Sequence, residues 1–208
     1  EKQGNPGDDG TGIKLGMSAG GAANYMDECF VTSPFYPPGQ LVKGILVNKD
    51  GRRFVAEDSY HSKSAAACLG QNEARAFLIV DGEIFERPAY GWQPLIDGWE
   101  TIDEMEKDIG IPNGALVQTL SNYNENAAAG KDPEFHKHPD YVVPLSSPPF
   151  AAFDLSLGQA NYVGFTLGGL KTSIDGHVLD EKGDRVNGLY AAGACASNIA
   201  QDARGYSS

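Results

Sequence analysis

The pattern of this chain changes twice along its length, and those changes limit its possible folds more than any other feature. Residues 1–12 are a loop rich in glycine and aspartate. Residues 13–26 then turn helical, with Gly16, Ala19, Gly20 and Ala23 forming a flat face that another backbone can approach. A crossing marked by Pro34, Pro37 and Pro38 leads into a middle stretch, 41–160, where hairpin-like runs alternate with amphipathic helices. From Tyr162 onward the chain becomes short apolar runs punctuated by glycine. Hairpins mixed with helix pairs predict an α+β fold. The two ends, 1–40 and 161–208, read as pieces of a second, discontinuous domain.

Within the middle stretch, residues 41–48 predict a strand, Lys49-Asp50-Gly51 its turn and 52–55 a return strand. Residues 62–76 follow as a helix and 77–81 as a short buried strand, and a loop rich in Pro, Gly and Trp covers 87–99. Thr101-Ile102-Asp103-Glu104 is a capping box for a helix with Ile102, Met105 and Ile109 inward. Asn113 is expected to cap a second helix reaching Ala128, with Leu116, Val117, Leu120 and Tyr123 on one face. Later, residues 170–174 and 177–179 flank a hairpin turn at Asp175-Gly176, and Glu181-Lys182-Gly183 makes another. Residues 189–193 read as a buried strand ending on Gly193.

Charge narrows the function. With 28 acidic and 16 basic residues, a net charge of −12, the chain repels phosphates, which argues against a nucleic-acid partner. No run approaches the roughly 18 apolar residues of a membrane span, so no span and a cytoplasmic location are expected. Cys29, Cys68 and Cys195 are scattered, odd in number and without a CxxC pair. They read as small hydrophobes of a reducing compartment. The chain opens at Glu1 and stops after Gly205-Tyr206-Ser207-Ser208, and both ends read as cuts through a longer protein.

Several motifs suggest chemistry but lack its context. Gly10-Thr11-Gly12-Ile13-Lys14-Leu15-Gly16 looks like a dinucleotide loop, yet its spacing is GxGxxxG. No buried strand precedes it to aim the turn at a pyrophosphate. A helix N-terminus beside Gly10 can still meet a ligand oxygen. Gly16-Met17-Ser18-Ala19-Gly20 matches GxSxG, but Ser18 lies in a helical run and not on the strained strand-to-helix turn a serine hydrolase needs. His136-Lys137-His138-Pro139-Asp140 offers two imidazoles and a carboxylate with no second cluster, so it reads as a solvated loop and no metal is expected. Tyr60, Tyr206 and Ser208 are loop residues by type. A phenol can hold a carbonyl oxygen or relay a proton, and a serine can act where another group takes its proton.

Four stretches, in order, resemble the FAD-dependent fumarate reductase/succinate dehydrogenase flavoprotein superfamily. GDDGTGIKLG at 7–16 is similar to its GDG-type loop and helix, and ILVN with GRRFVAE at 45–57 to its hairpin into a capping domain. Residues 103–135, with Tyr123-Asn124 and Gly130-Lys131-Asp132-Pro133, resemble the helix pair of that domain. Thr166-Leu167-Gly168-Gly169-Leu170 and 188–193 resemble its return to the flavin domain. The resemblance implies a capping (substrate) domain at 41–160, flanked by parts of a discontinuous FAD-binding α/β domain at 1–40 and 161–208, the last one truncated. FAD is the implied cofactor, with Asp9, Gly168, Gly169, Gly193 and Ala194 on its side of the site. Many members carry an acidic residue after Ala-Ala-Gly, where this chain has Ala194. Fumarate-reducing members place a histidine before the TxGG turn; Phe165 stands there instead and points to an apolar pocket.

Within the superfamily the likeness is greatest to 3-ketosteroid dehydrogenases of the Δ4-(5α) type. That likeness implies Ser208 abstracting the proton α to the ketone and passing it to Tyr60, while Tyr206 polarises the C3 carbonyl. The β-hydrogen leaves as hydride to flavin N5. The expected partner is a small apolar ketone, a steroid. The rival readings are a flavin-dependent reductase of another enone or enoate, a serine hydrolase built on Ser18, and a folded but inactive domain. The chain by itself is expected to bind FAD poorly and to be inactive.

Overall fold

The computed structural model describes residues 4–32, 39–88 and 93–197. The chain divides into two units, one of residues 1–31 with 163–208 and one of residues 32–162. In the first, α1 (Thr11–Ser18) follows the glycine loop. The helix expected to reach residue 26 stops here because Gly20 adopts φ +98. Gly21 N–H then donates to Gly16 O and Gly20 N–H to Met17 O, both at 3.0 Å, which closes the helix end. The chain continues as β1 (Ala23–Asn24) and β2 (Cys29–Thr32).

The second unit contains, in order, β3 (Ile45–Asn48), α2 (His61–Leu69), β4 (Ala76–Val80), β5 (Leu95–Trp99), α3 (Ile102–Ile109), α4 (Ala115–Ala127) and β6 (Phe150–Asp154). Its strands form one antiparallel sheet in the order β3-β4-β6-β5. Every residue of β4 is buried, as an uninterrupted apolar run in an interior strand requires. β5 falls inside the expected 87–99 loop, and β6 lies where no element was expected. Their sequences, LIDGW and FAAFD, carry weak strand preference, and pairing on β4 and on each other overrides it.

The helix pair is close to expectation at its start. Glu104 N–H donates to Thr101 Oγ1 (3.3 Å) and Thr101 N–H to Glu104 Oε2 (3.1 Å), the reciprocal box read from sequence. α4 departs from it: Gly114, at φ +79, is its N-cap and not Asn113. The cap is supplied across the pair. The fully buried Glu106 carboxylate accepts N–H groups from Gly114, from Leu116 (3.0 Å) and from Val117 (3.4 Å). An anion at a helix N-terminus satisfies orphan donors and meets the positive end of the helix dipole. α2 is shorter than the expected 62–76: it ends at Leu69, and Gln71 is already extended at ψ 158 before the turn at Asn72–Ala74.

The chain returns to the first unit through β7 (Val163–Thr166), β8 (Gly169–Lys171), β9 (His177–Leu179), β10 (Arg185–Tyr190) and β11 (Ala196–Ser197). β8 lies between β1, antiparallel to it, and β11, parallel to it. β2 pairs with β7, and β9 with β10. The turns at Gly176 (φ +80) and Gly183 (φ +88) fall where the sequence placed them. The strand expected to be buried at 189–193 is not: Tyr190 is 61% exposed, since β10 pairs only with β9 among the described residues. α1 crosses β8 through Gly16, where any side chain would collide with Leu170, and its Gly12 rests against Cys195 Sγ. No helix among the described residues is long and apolar enough to cross a membrane.

Candidate active site

Tyr60 stands at the N-cap of α2, with φ −51 and ψ 135. Its carbonyl accepts the N–H groups of Lys63 (2.8 Å) and Ser64 (3.1 Å), so the helix start fixes its backbone. Its ring centre lies 4.2 Å from that of His61, with the planes tilted by 44°. His61 Nδ1 and Thr32 Oγ1 are 2.6 Å apart, and Thr32 is buried. Burial lowers the imidazole below its ordinary value, which keeps it uncharged near neutral pH. A half-buried phenol and a neutral imidazole therefore stand side by side at the head of α2.

The segment leading to Tyr60 is held by a cluster of buried charges. Arg53 donates through Nε and Nη2 to Glu57 (3.2 and 2.9 Å) and through Nη1 and Nη2 to Asp132 (2.9 and 2.8 Å). Its guanidinium lies over the rings of Tyr123 and Phe135 at 4.9 and 5.0 Å. Lys137 Nζ reaches Gly44 O (2.7 Å) and Glu57 Oε2 (3.3 Å), and Leu46 N–H donates to Glu57 Oε1 (2.9 Å). Two cations and two anions cancel, and all four side chains are buried. Burial pushes the Lys137 ammonium below its ordinary value, with Glu57 opposing. For Asp132 burial acts upward, but the hydrogen bonds from Arg53 outweigh it and hold the carboxyl below its usual range.

His136, His138, Pro139 and Asp140 are exposed, as a solvated loop requires, and Lys137 alone departs from that expectation, at 3% exposed. Glu57 and the Gly44 carbonyl draw its ammonium inward, where an unpaired carboxylate would be costly. Sequence reasoning missed it. Arg53 and Glu57 are four apart but outside any helix, so their spacing carried no signal, and the other two partners come from about eighty residues away.

In the first unit, Gly169 lies against the segment 195–196, while Gly168 packs on a different one. A side chain at Gly169 would meet the backbone of Ala196 and Cys195 at 2.8–2.9 Å, and one at Gly168 that of Tyr25 and Met26 at 2.7 Å. Both glycines are buried, so the chain's own backbone already demands them. Gly193 differs: it is exposed at φ +60 with open space where a side chain would project, and Ala194 beside it is exposed too. Gly193 and Ala194 thus form a bare, exposed strip. Asp9, at the mouth of α1, accepts the Thr11 N–H at 2.9 Å. That hydrogen bond holds its carboxyl below the usual range. Phe165 stacks on Phe30 at 4.9 Å and 22°.

Tyr206 and Ser208 lie outside the described residues. Ser18 closes α1, and its hydroxyl donates to Leu15 O at 2.7 Å, a helix back-bond and not a nucleophile's turn. Among the described residues no three His, Cys, Asp or Glu side chains are grouped to hold a metal.

A family model described as FAD binding domain matches residues 3–207. The crystal structure of 3-ketosteroid-Δ4-(5α)-dehydrogenase from Rhodococcus jostii RHA1, in complex with 4-androstene-3,17-dione, is similar at 36% identity and a TM-score of 0.82. That match covers 95% of this chain and 41% of that one. A fumarate reductase (cytochrome) from Shewanella frigidimarina is 30% identical, over 93% of this chain and 35% of its own length. A 3-oxo-5-alpha-steroid 4-dehydrogenase from Comamonas testosteroni is 28% identical, over 89% and 39%. The chain thus spans between a third and two fifths of these curated relatives.

Proposed function

Because the chain belongs to the FAD-binding domain family, among FAD-dependent oxidoreductases that act on carbon–carbon bonds, we propose that it is part of a dehydrogenase of 3-ketosteroids or closely similar apolar cyclic ketones. The observation that carries this reading is the likeness, over nearly the whole chain, to a dehydrogenase holding a steroid. In this reading the stretch 41–160 is the capping, substrate-facing domain, and 1–40 with 161–208 contribute to the flavin domain. FAD, when bound, supplies the two-electron acceptor.

The chain's own residues divide the rest of the work. Gly193 and Ala194 offer bare backbone to the cofactor, with Asp9, Gly168 and Gly169 shaping that side. Tyr206 donates to the ketone oxygen, which acidifies the neighbouring C–H. Ser208 takes that proton and hands it to Tyr60; the adjacent C–H bond gives up its hydrogen with the electron pair, and a carbon–carbon double bond forms. A serine is too weak a base alone, so the phenol is required as its relay. Phe165, a hydrocarbon ring already stacked on Phe30, suits an apolar substrate and disfavours a dicarboxylate. A cytoplasmic place in steroid metabolism fits, with three free cysteines as its support.

A second reading, reduction of an enone or enoate by the same groups in reverse, is favoured by the fumarate reductase likeness. Anaerobic titration of the whole flavin-loaded dehydrogenase, and not of this chain alone, separates them. Bleaching of the flavin bands by a saturated 3-ketosteroid is expected. If that ketone leaves the bands unchanged while an enoate reoxidises dithionite-reduced flavin, the reductase reading holds instead. Tyr60→Phe should lower kcat for the ketosteroid by about 100-fold, the scale of a lost proton relay.

A further inference from the structure

Asparagine precedes glycine at Asn113-Gly114 and at Asn187-Gly188. In each pair both residues are exposed, and the glycine has a left-handed φ, +79 at Gly114 and +75 at Gly188. A side chain at either glycine would meet open space, so no neighbouring atoms crowd either backbone. By sequence, exposure and conformation the pairs are alike. Their peptide nitrogens are not.

The Gly114 N–H donates to the buried Glu106 carboxylate, the contact that caps α4. Taking the proton from a nitrogen held against an anion sacrifices a charge-assisted hydrogen bond and leaves like charges together. Asn187 and Gly188 instead lie in a bulge of β10. The β9–β10 register pairs Arg185 with Leu179 and Tyr190 with His177, so Val178 alone stands opposite residues 186–189. The bonds that close the ladder on either side are Asp180 N–H to Asp184 O (2.8 Å) and Ala191 N–H to Gly176 O (3.0 Å). Between them the register gives the Gly188 N–H no acceptor.

We propose that Asn187-Gly188 is a site of spontaneous covalent modification, deamidation through a cyclic imide, from which Glu106 protects Asn113-Gly114. The Gly188 nitrogen gives its proton to solvent and attacks Cγ of the Asn187 side chain, an approach that glycine leaves open because it has no Cβ. An N–C bond forms and closes a succinimide ring. The bond from Cγ to the amide nitrogen breaks, and that nitrogen takes a proton from water and leaves as ammonia. Water then opens the ring at either carbonyl, giving aspartate or, with the main chain rerouted through Cγ, isoaspartate. Water is the only co-reactant, and nothing is oxidised or reduced. The product puts a carboxylate where an amide stood, and its isoaspartyl form adds a backbone carbon to β10 just before the Tyr190–His177 pair.

The test incubates the whole flavin-loaded protein at neutral and at mildly alkaline pH, with and without denaturing urea. Mass spectrometry follows the peptides that hold Asn187 and Asn113. In the folded protein the Asn187 peptide should convert at a rate that rises with pH, because the attacking nitrogen has to lose its proton. The Asn113 peptide should lag by about tenfold or more, the scale of a hydrogen bond to a charged group. In urea the lag should vanish, since the Glu106 contact exists only in the fold. On anion exchange the intact protein should gain an acidic form in step with the Asn187 peptide, and Asn187→Gln, whose longer side chain closes the ring poorly, should lose that form. The proposal is overturned if the Asn187 peptide keeps its mass in the folded protein, or if Asn113 converts there as fast as Asn187. A lag that persists undiminished in urea removes the protection by Glu106. Substrate turnover does not enter these readouts, so they stand or fall apart from the reaction proposed above.

Discussion

Arg53 serves two carboxylates at once, and its own sequence neighbourhood shows only one of them. The pairing with Glu57 is local, four residues on; Asp132 and Lys137 reach the cluster only when the chain folds back. Residue type and spacing could not show that Lys137 abandons solvent, because an ammonium turns inward only when anions there already need it. Replacing Arg53 by Met should therefore destabilise the protein by about 3–5 kcal/mol, since two buried carboxylates lose their shared cation. Acid should strike the same place. Asp132 has a folded-state value below its ordinary 3.8, so its contribution is complete above about pH 4 and is lost as pH falls through the folded value. Urea midpoints should fall more steeply between pH 5 and 3 in wild type than in Asp132→Asn, which has no such proton to take up. Equal slopes would remove Asp132 from the acid response.

Elements were legible where local chemistry is self-contained. The Thr101–Glu104 box and the turns at Gly176 and Gly183 need no distant partner, and the sequence shows them. β5 and β6 exist because β4 and their own mutual pairing give them ladders, and their alanine, glycine and aspartate residues conceal it. The glycines of the first unit divide by the same logic. Gly169 is demanded by the backbone at 195–196, whereas Gly193 faces open space. Gly169→Ala should lower the thermal midpoint, as a side chain has to be forced against the β8–β11 pairing, and flavin loss would only follow unfolding. Gly193→Asn should leave the midpoint nearly unchanged, because asparagine tolerates a left-handed φ, yet weaken flavin binding by tenfold or more. Flavin titration beside calorimetry checks both. Unaltered flavin affinity in folded Gly193→Asn would rule out the bare-strip role.

At the scale of the molecule, residues 32–162 form one continuous unit around the β3-β4-β6-β5 sheet, while the other unit is assembled from two separated segments. The sequence pattern changes after residue 40 and again at 161, whereas Thr32 and His61 acquire meaning only as neighbours in space. A protein made of residues 32–162 alone should unfold in a single cooperative transition by circular dichroism and calorimetry. Gradual, uncooperative melting would show that the unit needs the rest of the chain. The pairing of Ala23 with Leu170 carries a further consequence, one of timing. During synthesis β1 leaves the ribosome before residues 32–162, and β8 emerges only after all of them. The early strand then waits with its edge unsatisfied, a state that invites pairing with a neighbouring nascent chain. Rapid folding of the intervening unit shortens that wait by drawing the ends of a long loop together. Yield in the cell should thus depend more on how fast the middle folds than on how stable the whole becomes.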